Sequence, residues 1–191
     1  MQPGSDLPGG DGQASGGETE EGPARETGIV VRPADQSDVE ALIGLQEELI
    51  SLHRQLRPIY YRPISGFPEQ SRSYFLDLLG SPEWVVYVAE ELGSRVRGYA
   101  TAILHHRPAL FGGGVEAHLD DLYVAPTHRH FGVGAALLET VCTWARARQA
   151  ERLTLWVDAS NESAQAFYAQ SGFREYEKFL ALELENGKAL A

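Results

Sequence analysis

The 191-residue chain reads as an α/β layered fold, with helices covering a mixed, mostly antiparallel sheet of six to seven strands and about four helices in all. Three observations predict it. Apolar residues switch along the chain between a period of two and a period near 3.6, which gives the order β-α-α-β-β-β-α-β-α-β and no internal repeat. Two strand-like runs flank Leu92-Gly93-Ser94 as a hairpin. A glycine-bearing stretch, RHFGVG (129–134), heads a long apolar helix. An apolar fraction of 43% and a charged fraction of 23% suit one domain with a sizeable core.

The segment 1–27 is rich in glycine and acids and lacks large apolar side chains, so it cannot offset its own ordering entropy and is expected to be disordered. GIVVRPA (28–34) is a first strand that ends at its proline. Ser37-Asp38-Val39-Glu40 has capping-box spacing and opens a helix whose buried side is Val39, Leu42, Ile43, Leu49 and Ile50. HRQLRPIYYRPISGFP (53–68) has three prolines and no period, which makes it a loop. Its Tyr60, Tyr61, Arg62 and Phe67 are candidates either to line a pocket or to pack down one end of the domain. A helix over 69–79 stops at Gly80. WVVYVAEE and RVRGYATAIL form the hairpin, and EAHLDDLYV (116–124) is a fourth strand. The helix after RHFGVG runs to about Gln149, with Val133, Leu137 and Val141 at one helical spacing. RLTLWVDA is a fifth strand, Ser160-Asn161 caps a helix that ends at Gly172, and EYEKFLALEL closes with a further strand.

Charge and cysteine usage narrow the function classes. The chain carries a net charge of −11, of which −5 falls in residues 1–27, where six acids face Arg25 alone. An acidic domain repels phosphate backbones, so nucleic acid is excluded as a partner and cationic substrates are mildly favoured. Cys142 is the only cysteine, so no internal disulfide forms and a reducing interior is the natural setting. No signal peptide and no apolar run near the roughly 20 residues of a membrane span are present, so the expected location is cytoplasmic, with no membrane partner. His53, His105, His106, His128 and His130 lack metal-ligand spacing, and no metal is expected.

Two glycines and an arginine at a strand-to-helix junction suit a phosphate-bearing ligand. A dinucleotide fingerprint needs a third small residue three positions on, where this chain has Leu137, and it needs a strand-helix-strand unit ahead. A nucleoside triphosphate loop needs a lysine followed by Ser or Thr, which is absent, and a phosphotransferase fails with it. What remains is a helix start whose unpaired N–H groups and partial positive charge receive an anion such as a pyrophosphate.

LDDLYVAPTHRHFGVGAALLE followed by NESAQAFYAQSGF resembles the GCN5-related N-acetyltransferase (GNAT) superfamily in two linked places. Arg129, His130, Phe131, Gly132, Val133 and Gly134 match its Q/R-x-x-G-x-G/A coenzyme loop, and Leu122-Tyr123-Val124 match the apolar end of the strand before it. Asn161, Ala164, Phe167, Tyr168, Gly172 and Phe173 match its second pattern. The resemblance implies an N-acetyltransferase domain over 28–185, followed by a short tail at 186–191. It also implies a sheet splayed between strands four and five, with acetyl-CoA as cosubstrate and a possible homodimer. Pantetheine would lie beside Leu122 to Val124, the pyrophosphate on the amides of His130 to Gly134, and Asn161 would bond the coenzyme. The Val124 N–H would face the thioester oxyanion, and Tyr168 would protonate the departing thiolate.

The attacking primary amine must shed a proton, and the base is expected on strand four. Alternation puts His118, Asp120, Leu122 and Val124 on one face and Asp121 and Tyr123 on the other, unless a bulge changes phase. Asp120 is the first candidate for base or amine anchor, through a water, and His118 is the second because its ordinary pKa suits neutral pH. Asp120 and Asp121 are also the expected contacts to a cationic acceptor, whether a small amine or a lysine or peptide amine. A non-catalytic acyl-CoA-binding sensor is the alternative, one that would need neither Tyr168 nor the strand-four acids.

Overall fold

A computed structural model describes residues 28–182 apart from 59, 63 and 94. The acidic segment 1–27, the tail 186–191 and the end of the expected last strand lie outside the described residues. Five strands form one sheet in chain order: β1 (Ile29–Pro33), β2 (Trp84–Glu91), β3 (Arg95–His106), β4 (Val115–Val124) and β5 (Leu153–Leu155). The first four are antiparallel neighbours, and β5 joins β4 in parallel. Four helices flank them: α1 (Val39–Leu56), α2 (Phe67–Gly80), α3 (Val133–Ala147) and α4 (Glu162–Gln170).

Each face of the sheet buries its own apolar cluster. Ala100, Ala102, Ala117 and Leu119 meet Leu137, Leu138 and Val141 of α3 on one side. Val86, Val88, Tyr99 and Tyr123 meet Leu42, Leu49 and Phe75 of α1 and α2 on the other. The small residues on the α3 side let that helix lie close to the strands. At Gly98 an added methyl would sit 2.7 Å from the Tyr123 carbonyl oxygen, so only glycine lets β3 approach β4 there.

Two expectations about helix and strand ends change. The capping box belongs to Asp35 and Asp38 on a preceding 3-10 turn, not to Ser37 and Glu40: Asp35 accepts from the Ser37 N–H at 2.7 Å, and Asp38 accepts from the Asp35 N–H at 2.9 Å. Arg32 then ties Asp38 to β1 with bonds of 2.7 and 2.8 Å, so the acid that caps also anchors. The sixth strand is not formed by the described residues of its segment. An outer strand needs a ladder to join, and β5 presents only three residues, so Tyr176, Phe179 and Leu180 stay exposed despite their strand-like alternation.

Two irregularities around β4 position the site. Thr101 pairs with Asp121 but Ala102 pairs with Leu119, which leaves Asp120 as the extra residue of a β-bulge. The bulge shifts the phase, so the expected single face of His118, Asp120, Leu122 and Val124 is broken. Leu119 and then Leu122 and Val124 pack toward α3, whereas Tyr123 packs toward α1. Asp121 is thereby brought round to the face of His118, the reverse of simple alternation. The second irregularity is the end of pairing: β5 matches β4 only from Ala117–Leu153 to Leu119–Leu155. Beyond it the β5-side edge of residues 120–124 is open, which is the expected splay.

Candidate active site

The loop from β4 to α3 turns on two residues in the left-handed region, His130 (φ 66°) and Gly132 (φ 81°). Gly132 is the residue before the helix and supplies this conformation without steric cost. The first helical bond runs from the Ala136 N–H to the Gly132 carbonyl at 3.0 Å. Among the described residues, the amides from His130 to Ala135 have no acceptor, as a helix start requires. Phe131 is exposed, and Val133 sends its side chain into the core, so Val133 offers this loop only its backbone. Arg129 lies back over the strand: its Nε donates to the Val124 carbonyl at 2.9 Å, and its guanidinium sits 5.4 Å from the Tyr123 ring. Tyr123 itself is buried on the α1 side, where its hydroxyl donates to Glu48 at 2.8 Å, so its side chain points away from the splay.

Helix α4 closes the other side of the opening. Asn161 caps it by accepting from the Ala164 N–H at 3.1 Å, which leaves the side-chain NH₂ as its remaining donor. Phe167 packs against the core, and a methyl added at Gly134 would lie 3.6 Å from its ring and 3.8 Å from Val124. The end of β4, the start of α3 and α4 therefore converge on one point, and both sequence patterns meet there. Tyr168 is the next residue, stacked edge-on with Phe167 and Phe173. Burial, helped by the negative charge of Asp121, pushes its phenol up to about 12.

On the α1 and α2 side of the splay, a cavity of about 290 Å³ is lined by His118, Asp120 and Asp121 from β4, with Trp156 just past β5. Tyr61 from the loop contributes too, as does Tyr74 from α2. Of the other loop candidates, Phe67 packs under α2 and Tyr60 is exposed against Tyr61. Asp120 projects from the bulge and accepts from the Tyr74 hydroxyl at 2.9 Å. His118 Nδ1 lies 2.9 Å from Thr154 Oγ1, and that hydroxyl donates to the Ala117 carbonyl at 3.3 Å. When Nδ1 carries the proton it donates to Thr154, whose hydroxyl donates onward to the Ala117 carbonyl, and Nε2 keeps its lone pair; the other tautomer would accept from Thr154 instead. Burial lowers the pKa of His118, with the Asp120 charge opposing that shift, so the neutral ring predominates. Tyr74, Tyr99, Thr154 and Trp156 carry no local motif: the register of β3, β4 and β5 brings the last three here, and the packing of α2 on the sheet brings Tyr74.

Asp121 accepts from the Tyr99 hydroxyl at 3.0 Å, and its own N–H donates to Thr101 Oγ1 at 3.0 Å. Burial first, and then the adjacent Asp120 charge, raise its carboxyl to about 7. This makes stability depend on pH. Below the free carboxyl value of 3.8 both folded and unfolded chains hold the proton and nothing is lost. Between 3.8 and about 7 the unfolded chain has released its proton while the folded chain still holds it, so stability falls across that window by up to about 4 kcal/mol and levels off above it, where both forms are ionised. Asp121→Asn keeps the bond from Tyr99 and removes the charge. Urea unfolding should show the variant gaining on the native chain at pH 8 relative to pH 4, and an equal difference at both would refute the buried-carboxyl account.

The sheet opens beside a glycine-led helix start, with an acid-and-histidine cavity across the gap, as the resemblance to acetyltransferases implies. The Acetyltransferase (GNAT) family model matches residues 49–173, and the chain belongs to that family. Over 118 residues it is 29% identical to an aminoglycoside N(6')-acetyltransferase type 1 of Serratia marcescens, covering 60% of this chain and 79% of that one. Over 73 residues it is 33% identical to a glucosamine 6-phosphate N-acetyltransferase of Trypanosoma brucei brucei, covering 38% of this chain and about half (48%) of that relative. A solved aminoglycoside N-acetyltransferase in complex with CoA superposes with a TM-score of 0.63 over 82% of this chain and 94% of the other; at 19% identity the likeness is one of fold. Among the described residues no helix is long and apolar enough to cross a membrane, and no acid, histidine or cysteine cluster is placed to hold a metal.

Proposed function

We propose that this chain transfers the acetyl group of acetyl-CoA to a primary amine by direct attack in a ternary complex. The observation that carries the reading is the convergence at Gly134, where unpaired amides and an open strand edge meet the α4 helix that carries Tyr168. The amides of His130 to Gly134 receive the diphosphate, with the free nitrogens of Arg129 beside them. Leu122 to Val124 offer their open backbone edge to the pantetheine amides, as a sheet edge accepts an added strand. The Asn161 NH₂ supplies a further donor.

Chemistry follows from the two sides of the splay. Asp120, oriented by Tyr74, holds the incoming ammonium. His118 Nε2 takes its proton, a role that an Nδ1–H bond to Thr154 favours over Asp120. The amine nitrogen then forms its bond to the carbonyl carbon while the Val124 N–H steadies the oxygen as it gains charge. Tyr168 gives its proton to the sulfur as the C–S bond breaks, the second nitrogen proton restores the phenol as the carbonyl re-forms, and the proton taken by His118 is released to solvent. A phenol held near 12 stays protonated at neutral pH, as an acid must.

The test is release of free coenzyme A thiol from acetyl-CoA across amines of different classes, alongside calorimetric binding of acetyl-CoA. Turnover with at least one amine class is expected. Tight binding with no turnover on any amine would replace this reading with the sensor alternative.

A further inference from the structure

Resting on the acetyltransferase reading, we infer that the acceptor is a compact primary amine with one positive charge on an apolar, aromatic-sized body, and not a phosphorylated amino sugar or a polycation. The cavity walls select by charge first. Among the described residues, no lysine or arginine lines the cavity. The neighbouring Arg57 is paired with Asp158, and Arg54 Nε is bonded to the Tyr61 carbonyl. A phosphate group entering here would lose its hydration and meet carboxylates, with no cation to receive it.

The count of free negative charges is equally restrictive. Asp120 faces the cavity with one oxygen taken by Tyr74, which leaves the other to accept from an ammonium. Asp121 is held by Tyr99, and its raised carboxyl keeps much of its proton near neutrality. Asp158 is neutralised by Arg57. One carboxylate is thus left for one ammonium, so a second or third cationic centre on the acceptor would be desolvated without a partner.

The remaining surface is mostly apolar, with Gln46 and His53 of α1 as its polar residues. Leu49 and Ile50 of α1 form one wall, and Tyr61, Tyr74 and Trp156 present rings around it. Trp156 is 88% exposed yet stands edge-on to His118 at 5.0 Å, so a flat apolar body entering beside the histidine would cover it. Rings beside a carboxylate suit an ammonium on such a body, through cation–π attraction at one end and apolar burial at the other. A cavity of about 290 Å³ lies at the small end of ligand pockets, too small to enclose a multi-ring aminosugar.

The test compares 2-phenylethylamine, glucosamine 6-phosphate, spermidine and kanamycin as acceptors for the full chain, by thiol release at saturating acetyl-CoA. The expected result is a kcat/KM for 2-phenylethylamine at least tenfold above each of the others. Trp156→Ala should raise the KM for that amine at least fivefold without changing the KM for acetyl-CoA. Preferred turnover of the phosphosugar, the polyamine or the aminoglycoside overturns the acceptor class and leaves the acetyltransferase reading standing. Binding of acetyl-CoA with no turnover of any of the four, or of a wider amine panel, overturns both. An unchanged KM in Trp156→Ala removes the aromatic wall from the inference.

Discussion

Replacing Tyr168 with Phe is expected to slow acetyl transfer at saturating substrates by about 100-fold or more while acetyl-CoA affinity and melting temperature hold. The ring keeps its edge-on packing on Phe167 at 5.2 Å and on Phe173 at 5.6 Å, so the fold loses nothing. The phenol oxygen has no hydrogen-bond partner among the described residues, so the substitution breaks no internal bond either. What disappears is one proton donor beside the splay. A thiolate leaving into a water-poor gap is stabilised far more by a donated proton than a thioester sulfur is, so the loss falls on kcat and not on binding. An unchanged kcat would show that the sulfur finds its proton elsewhere. A weakened acetyl-CoA affinity at unchanged kcat would make Tyr168 a binding contact only.

The parts of this site that could be read from sequence are those set by local chemistry. Gly132 and Gly134 announce a helix start open to an anion, and Asn161 with Phe167 and Tyr168 announces a capped helix that presents a tyrosine one turn in. The resemblance implied one gap beside both patterns, and in the structure Gly134 of one pattern lies against Phe167 of the other. What sequence did not reveal is set by register. The bulge at Asp120 depends on how β4 slides against Thr101 and Ala102 of β3, and nothing within EAHLDDLYV distinguishes a bulged from a straight strand. The order of the two aspartates is therefore reversed: Asp120 is the exposed one held by Tyr74, and Asp121 is the one held by Tyr99, its carboxyl raised by burial. Thr154 lies 36 residues from His118, and only the three-residue parallel ladder of β5 brings it alongside. The failed last strand has the same cause, since alternation reports which face a residue would take but not whether a neighbour exists to pair with it.

His118→Ala is expected to lower kcat/KM for the amine by about 100-fold or more at pH 7, with the loss shrinking as pH approaches the amine's own value of about 10. The shape follows from the tautomer. Nε2 is available as a base only while Nδ1 holds the proton, the tautomer in which Nδ1 donates to Thr154 and the Thr154 hydroxyl to the Ala117 carbonyl. Because burial moves His118 below its ordinary 6.5, the ring should stay neutral, and the native rate flat, to a lower pH than a solvent-exposed histidine would allow. As alkaline pH strips the amine unaided, a base becomes redundant and the variant should recover relative to the native chain. A loss of equal size at pH 7 and pH 10 would sink the assignment, because a residue needed only for shape is missed at every pH. Thr154→Val separates the two roles. It removes the acceptor for Nδ1–H, frees the ring to adopt the other tautomer and should cost about tenfold, while Thr154→Ser restores the hydroxyl and the rate. If serine fails to rescue, Thr154 acts by packing alone and the histidine takes its orientation from Trp156 instead.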